Sequence, residues 1–232
     1  MKIALLGYGK MGKVIEKTAL ERGHEIVLQK NIDTSFDGIE KANMAIDFSA
    51  PDAAVNHISY CLNHNIPVVS GTTGWLDKYP EMVDLCHKKN GAFIYGSNFS
   101  LGVNLFFELN DYLAKMMAKF HQYKVSMEEV HHTQKLDKPS GTAISLANSI
   151  IKSSSKEDWS IENPKSSDLF IDVKREDQVP GTHSVFYTSP VDTIEIKHIA
   201  HNREGFALGA VIAAEWLLDK NGIFSMKDVL EL

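Results

Sequence analysis

The sequence predicts an α/β protein of two domains: a parallel sheet wrapped by helices on both faces, then an α+β domain built on one open mixed sheet. Three observations carry this expectation. Short apolar runs alternate with amphipathic stretches through the first hundred residues, the pattern of strand–helix–strand units and hence of a parallel sheet. After Asn98 the rhythm changes to one long helical stretch and then several strands with few helices. A last apolar helix, 207–218, resembles the first half in composition and is expected to pack back on it. The expected boundaries are 1–101 with 207–232 for one domain and 102–206 for the other.

Element by element, residues 2–6 read as a strand, 11–22 as a helix and 25–29 as a second strand. Strand 44–48, helix 53–63, strand 67–69, helix 82–89 and strand 92–95 complete the alternation. Between 103 and 119, Leu105, Phe106, Leu109, Leu113 and Met116 recur at helical spacing. That periodicity predicts a helix with this stripe packed in the core. A strand at 124–130 and a helix at 142–151 follow. The polar segment KSSSKEDWSIENPKSSD reads as an exposed loop. Strands at 170–174, 184–188 and 193–198 are bounded by PGTH and SPVD turns.

The 232 residues are 44% hydrophobic and 23% charged, ordinary for a soluble globular protein. A formal charge of −6 argues against nucleic-acid binding, which needs a surplus of basic residues. An anionic ligand must therefore meet locally concentrated positive charge. Cys61 and Cys86 fall in helical segments without metal-ligand spacing, so they read as buried thiols of a reducing cytoplasm. The apolar run of MKIALLGYGKMG stops after five residues, too short for a signal peptide or membrane span.

GYGKMG places Gly7, Gly9 and Gly12 in a G-x-G-x-x-G pattern after a strand and at a helix start, with Tyr8, Lys10 and Met11 between them. The first glycine permits the turn and the second admits a pyrophosphate. The third lets helix and strand pack closely, while the helix N–H groups face the anion. The context is that of a Rossmann-type dinucleotide site. An acid that grips the adenine ribose is expected about 20 residues later. The second strand instead ends in Gln29, Lys30 and Asn31, with Asp33 two residues late. Lys30, and Lys10 in the loop, can face a 2′-phosphate, which leans the expected cofactor from NADH toward NADPH. Two further loops follow strands of the same sheet, Gly71-Thr72-Thr73 and Gly96-Ser97-Asn98-Phe99. Small residues there let the backbone reach a nicotinamide.

The densest chemistry lies in EVHHTQKLDKPSGTA, 129–143. A metal site is disfavoured, since adjacent histidines at a strand end point to opposite faces and no partner ligand is seen at the usual spacing. A nucleophilic Ser140 lacks the G-x-S-x-G elbow. A plain helix start capped by Ser140 or Thr142 is compatible with a third reading. There the helix N–H groups take a carboxylate, while His131, His132 and Lys135 add donors and positive charge, with a histidine able to give a proton near neutral pH. Beside a nicotinamide domain, this fits reduction of an anionic C=N or conjugated imine.

The pattern E-x-HH-x-x-K-x-D-x-PSGTA resembles the signature of dihydrodipicolinate reductases. The resemblance runs through GYGKMG, IDFSAP, GTTG, SNFSLGVN, VPGTH and HIAHNREGFALGA, nearly the whole chain. It implies His131 and Lys135 as the catalytic proton-handling pair, with His132, Gly141 and Thr142 on a small dicarboxylate substrate. It implies cofactor contacts from 7–12, 71–73 and 96–99, a homotetramer assembled through the second sheet, and hinges near 98–102 and 205–209. Arg203 also matches a family position, as a support of the site or domain junction or as a structural ion pair. Asn31 departs from relatives that carry an acid there. Two other classes remain open: a nicotinamide-binding sensor without catalysis, for which the His131–Lys135 set has no use, and another two-domain NAD(P)-dependent dehydrogenase.

Overall fold

Each apolar run of the first hundred residues becomes a strand of one parallel sheet, in a computed structural model that describes residues 1–232. β1 (Lys2–Leu6), β2 (Glu25–Lys30), β3 (Met44–Asp47), β4 (Val68–Ser70) and β5 (Ala92–Tyr95) alternate with α1 (Lys10–Glu21), α2 (Pro51–Asn63) and α3 (Tyr79–Lys89). β3 and β4 are buried at every position, because helices on both faces leave no solvent side. α2 and α3 start earlier than their apolar periodicity suggests. Each has proline in its first turn, where a missing N–H costs nothing.

The chain then builds a second unit, Gly102–Asn202. It contains most of α4 (Leu101–Met117), then β6 (Lys124–His131), α5 (Gly141–Ser153), β7 (Asp158–Ser160), β8 (Asp168–Arg175), β9 (Gly181–Thr188) and β10 (Thr193–Ala200). The strands form a mixed sheet in the order β10-β9-β6-β8-β7. One face carries Met127, Ile171 and Val185 against Phe106, Leu113, Leu146 and Ile150 of α4 and α5. No helix of this unit contributes to a buried cluster on the other face.

Two expectations fail here for identifiable reasons. Phe106 and Leu113 are in the core, but Leu105, Leu109 and Met116 are 53%, 50% and 44% exposed. The buried stripe of α4 is Val103, Phe106, Asn110, Leu113 and Met117. Its middle is a polar residue whose Nδ2 donates to the Leu146 carbonyl at 3.2 Å. The more continuous apolar stripe is therefore the exposed one. The segment 152–168, expected as loop, contains β7, paired parallel to β8 through Asp158, Trp159 and Ser160.

The chain returns at Arg203 to complete the first unit, Met1–Leu101 with Arg203–Leu232. α6 (Glu204–Leu217) buries Ala207, Ala210, Val211, Ala214 and Leu217 against Ile3, Leu5 and Ile94. Residues 205–209 lie in the first turns of this helix, just after the boundary between the units at Arg203. β11 (Gly222–Phe224) and α7 (Met226–Leu230) follow. β11 pairs with β5 and extends the sheet to β11-β5-β4-β3-β1-β2; three residues are too few to register as a period. No helix is long and apolar enough to cross a membrane.

Packing of α6 on the 96–99 loop depends on Gly209. A Cβ there would sit 1.6 Å from the Phe99 carbonyl oxygen, whereas at Gly205 the nearest atom is Ser100 Oγ at 3.6 Å. Gly209→Ala is expected to lower unfolding stability by about 3 kcal/mol in denaturant titrations. Gly205→Ala is expected to be neutral or stabilising by up to about 1 kcal/mol.

Candidate functional site

The first sheet reverses its strand order at β1, flanked by β2 and β3, and ligands of such sheets bind beyond the carboxyl ends of strands at that point. Gly7, at φ +94°, follows β1 there, and a Cβ on it would lie 2.2 Å from the Phe48 carbonyl oxygen. A Cβ on Gly12 would lie 2.5 Å from the Gly7 carbonyl oxygen, while Gly9 faces open space. The first and third glycines are thus forced by packing. The second leaves room for a pyrophosphate to approach the backbone.

Gly7, Tyr8, Gly9 and Lys30 line a cavity of about 460 Å³ together with Asn31, Ser49, Asp52, Asn56 and His57. Met11, Gly71, Thr72 and Thr73 line a neighbouring one of about 210 Å³, and Phe48 and Ser49 border both. These residues fit an extended dinucleotide. The other expected contacts are placed differently. Lys10 is exposed, Gly12 is buried behind the loop, and Gly96, Ser97 and Asn98 follow β5 outside both linings. The Phe99 ring is core, 1% exposed, so only its backbone is left to meet a ligand. Lys30 is committed elsewhere: Nζ donates to the carbonyls of Asn31 (3.1 Å) and Thr34 (2.6 Å) and sits 4.8 Å from the Phe36 ring centroid. The 2′-phosphate role suggested for it competes with these three contacts.

Asp47, the last residue of β3, organises this edge and was not singled out from sequence. Its fully buried carboxylate accepts hydroxyl hydrogen bonds from Ser49 (2.6 Å), Ser70 (2.8 Å) and Thr72 (2.8 Å) and pairs with His57 Nδ1 at 2.9 Å. The Ser49 N–H donates to Thr72 Oγ1 at 2.8 Å. The IDFSAP and GTTG loops are therefore tied to one anion. The signal available in the sequence was an acid ending a strand, β3, whose other residues are apolar.

In the second unit, strand alternation sends Glu129 and His131 of β6 to the helix-covered face, buried, and leaves His132 partly exposed just past the strand end. Register brings His183 of β9 opposite Glu129 and Arg175 of β8 opposite His131. Glu129 Oε1 accepts from Arg175 Nη2 at 3.1 Å, and Oε2 from the Ser140 N–H at 3.0 Å. Ser140 caps α5 by accepting the Ala143 N–H, and its Oγ lies 3.1 Å from His183 Nε2. Arg175 also donates to the carbonyls of Lys135 (3.3 Å) and Asp137 (2.6 Å). Lys135 Nζ donates to Asp137 Oδ2 at 2.8 Å. Gly141 and Thr142 open α5 beside this network, where first-turn N–H groups lack intrahelical partners. Gly181, the first residue of β9, faces His131: a Cβ on it would lie 3.0 Å from Nε2. Arg203, by contrast, is exposed at the start of α6 in the first unit and forms no ion pair.

Arg175 and His183 reach this cluster only through the register of β6 with β8 and β9, and Glu129, two residues before His131, shares its face of the strand. Glu129, His131 and His183 offer ligand atoms within 4.8 Å of one another, so the expectation of no carboxylate near the histidines is corrected. Both Glu129 oxygens already accept donors, one from a guanidinium, which makes the group a charge-balanced pair and a poor chelate. Burial pushes His131 down to about 4, opposed by Glu129 and reinforced by Lys135 and Arg175. Burial likewise pushes His183 down to about 3. Burial therefore favours the neutral form of both rings at pH 7. Burial alone would raise Asp137, but the Lys135 hydrogen bond and charge hold it below the usual carboxylate range.

Because unfolded histidines take protons near pH 6.5 and these folded ones resist until far lower, their contribution to stability is complete above pH 6.5 and is lost as pH falls toward 4. The slope approaches about 1.4 kcal/mol per pH unit for each ring. Denaturant melts from pH 7 to 5 are expected to show this decline, and His183→Gln to flatten it whatever its effect at pH 7.

Residues 24–99 match the family model described as dihydrodipicolinate reductase, N-terminus, and 102–230 that for the C-terminus. A 4-hydroxy-tetrahydrodipicolinate reductase of Christiangramia forsetii is 54% identical over 99% of this chain and 98% of its own. One of Thermosipho africanus is 34% identical over 100% and 98%. Among solved structures, the dipicolinate-bound dihydrodipicolinate reductase of Paenisporosarcina sp. TG-14 superposes with a TM-score of 0.75 at 21% identity, covering 97% of each chain, a likeness of fold.

Proposed function

The chain belongs to the dihydrodipicolinate reductase family, and from that premise we propose that it reduces 4-hydroxy-tetrahydrodipicolinate to tetrahydrodipicolinate with NAD(P)H, a step toward diaminopimelate and lysine. The observation that carries the proposal is the ordered segment 129–143. It joins the end of β6 to the start of α5, so one short connection bears His131, Lys135 and an anion-accepting helix end.

The net reaction consumes one hydride and one proton, and the 4-hydroxyl leaves as water. The glycine loop and the cavities bordered by Phe48 and Ser49 would hold the dinucleotide, whose nicotinamide would supply the hydride. Lys135, ion-paired with Asp137, is the proton donor. The neutral His131 hydrogen-bonds the reacting end of the substrate and exchanges a proton with it. His132 and the Gly141–Thr142 turn hold a ring carboxylate, since helix N-terminal N–H groups and their dipole favour an anion.

The coenzyme reading leans to NADPH. No acid stands at the ribose position, where Asn31 follows β2, and Lys10 is exposed on the loop; Lys30 adds little, given its internal contacts. The homotetramer reading is supported by the sheet face that no helix of its own unit covers, which carries Phe170 and Ile199 at 36% and 52% exposure. Two unpaired buried thiols, Cys61 and Cys86, suit a cytoplasmic location.

Purified protein coupled to enzymatically generated substrate is expected to oxidise both coenzymes, with the lower KM for NADPH. Lys135→Ala and His131→Ala are expected to lose about 10³-fold in kcat. Coenzyme binding without oxidation would favour a sensor, and a strong NADH preference would remove the NADPH reading. Sedimentation equilibrium is expected to give four times the 25.9 kDa chain mass; a monomer would refute the tetramer.

A further inference from the structure

Glu129 is the fully buried carboxylate of the second unit, and sealing an anion in a sheet core is costly unless donors surround it. An apolar residue would satisfy the fold at this position more cheaply, so its contacts show what the anion achieves. Through Oε2 it holds the Ser140 N–H, the first residue of the turn that opens α5. Through Oε1 it holds Arg175, whose other donors fix the carbonyls of Lys135 and Asp137. The whole connection from His131 to Ser140 is thus pinned by one ion pair.

The same carboxylate faces both buried histidines. His131 Nδ1 is buried without a hydrogen-bond partner, and Glu129 Oε2 lies 3.7 Å away. His183 Nε2 lies 3.7 Å from the same oxygen, and the two rings meet edge to face at 5.0 Å between centroids. On the other side of the ring, Gly181 leaves room at Nε2, where a Cβ would lie 3.0 Å away. At 3.7 Å the Glu129 contact is longer than a hydrogen bond, but a carboxylate on the Nδ1 side favours the proton on that nitrogen, since a neutral imidazole has one donor and one acceptor. The charged or titratable groups about His131 are then Glu129, Arg175, Lys135, Asp137 and His183.

We propose that Glu129 is a positioning residue for the reaction: it holds His131 in the Nδ1–H tautomer, with Nε2 as the reacting nitrogen, and with Arg175 it fixes the Lys135 connection relative to that ring. This rests on the reductase reading and on a catalytic His131. It differs from a structural role in one measurable respect, because a residue acting through His131 loses its effect when His131 is gone.

The test is a double-mutant cycle on full-length protein, read as kcat at pH 7.5, with melting curves and NADPH affinity measured for each variant. Glu129→Gln is expected to lower kcat on the order of 30-fold in the wild-type background and less than about 3-fold in His131→Ala, with NADPH affinity unchanged. Equal losses in both backgrounds would overturn the proposal, since Glu129 would then act independently of the ring. So would an unchanged kcat for Glu129→Gln in an active enzyme. Absence of turnover in the wild type would instead remove the reductase reading itself. Should Glu129→Gln fail to fold, the same cycle with Arg175→Lys decides, and equal losses again count against the proposal.

Discussion

Each unit seals one carboxylate away from water, and the donors that this demands come from the loops that bear the functional residues. Asp47 draws in Ser49, Ser70, Thr72 and His57. Glu129 draws in Arg175 and the Ser140 N–H. A surface loop is ordinarily mobile, yet here a displaced loop would strand a buried anion at a cost of several kcal/mol. The desolvation penalty thereby becomes a positional constraint. Glycine supplies its counterpart, allowing the loop backbones to close on their neighbours at Gly7 and Gly12.

The first sheet was legible because its strands are short, mostly apolar and set between amphipathic helices of ordinary length. What was misread follows from the limits of periodicity. In α4 two stripes compete, and the buried one contains Asn110, which a hydrophobicity count penalises although its amide is paired with the Leu146 carbonyl. β7 and β11 have three residues each, less than two periods of a strand, and owe their form to the strand beside them. Local pattern cannot report a partner supplied by distant chain.

The same distinction divides the site. Residues 129–143 were legible as a group because the turn and the helix start place them together whatever the rest of the chain does. The dinucleotide loop was legible because its three glycines recur at a fixed spacing within one strand–helix unit, although the contact that forces Gly7 comes from Phe48 after β3. Arg175 and His183 were not, since they reach Glu129 and His131 only through the register of β6 with β8 and β9. Lys30 failed in the opposite direction. Its spacing suited a phosphate contact, but the 31–36 turn offers its ammonium two carbonyls and an aromatic face much closer at hand.

Charge makes the division of roles intelligible. A chain of net charge −6 has no general attraction for a dicarboxylate, so the site must provide it locally. It does so without surplus fixed charge, because Lys135 is paired with Asp137 and Arg175 with Glu129, while burial keeps His131 and His183 neutral. The permanent attraction left is the first turn of α5, worth up to about 2 kcal/mol for a partly buried anion. Asp137 is 56% exposed on its side chain while Glu129 is fully buried, so the two ion pairs differ in how readily they yield. At an effective dielectric of 20, a ligand carboxylate 4 Å from Lys135 gains about 4 kcal/mol of Coulomb energy, enough to compete with a solvent-screened aspartate. The Arg175–Glu129 pair has no such route to exchange, because both partners are closed off by the sheet and by the Ser140 turn. One ion pair is therefore suited to meeting ligand and the other to holding the frame.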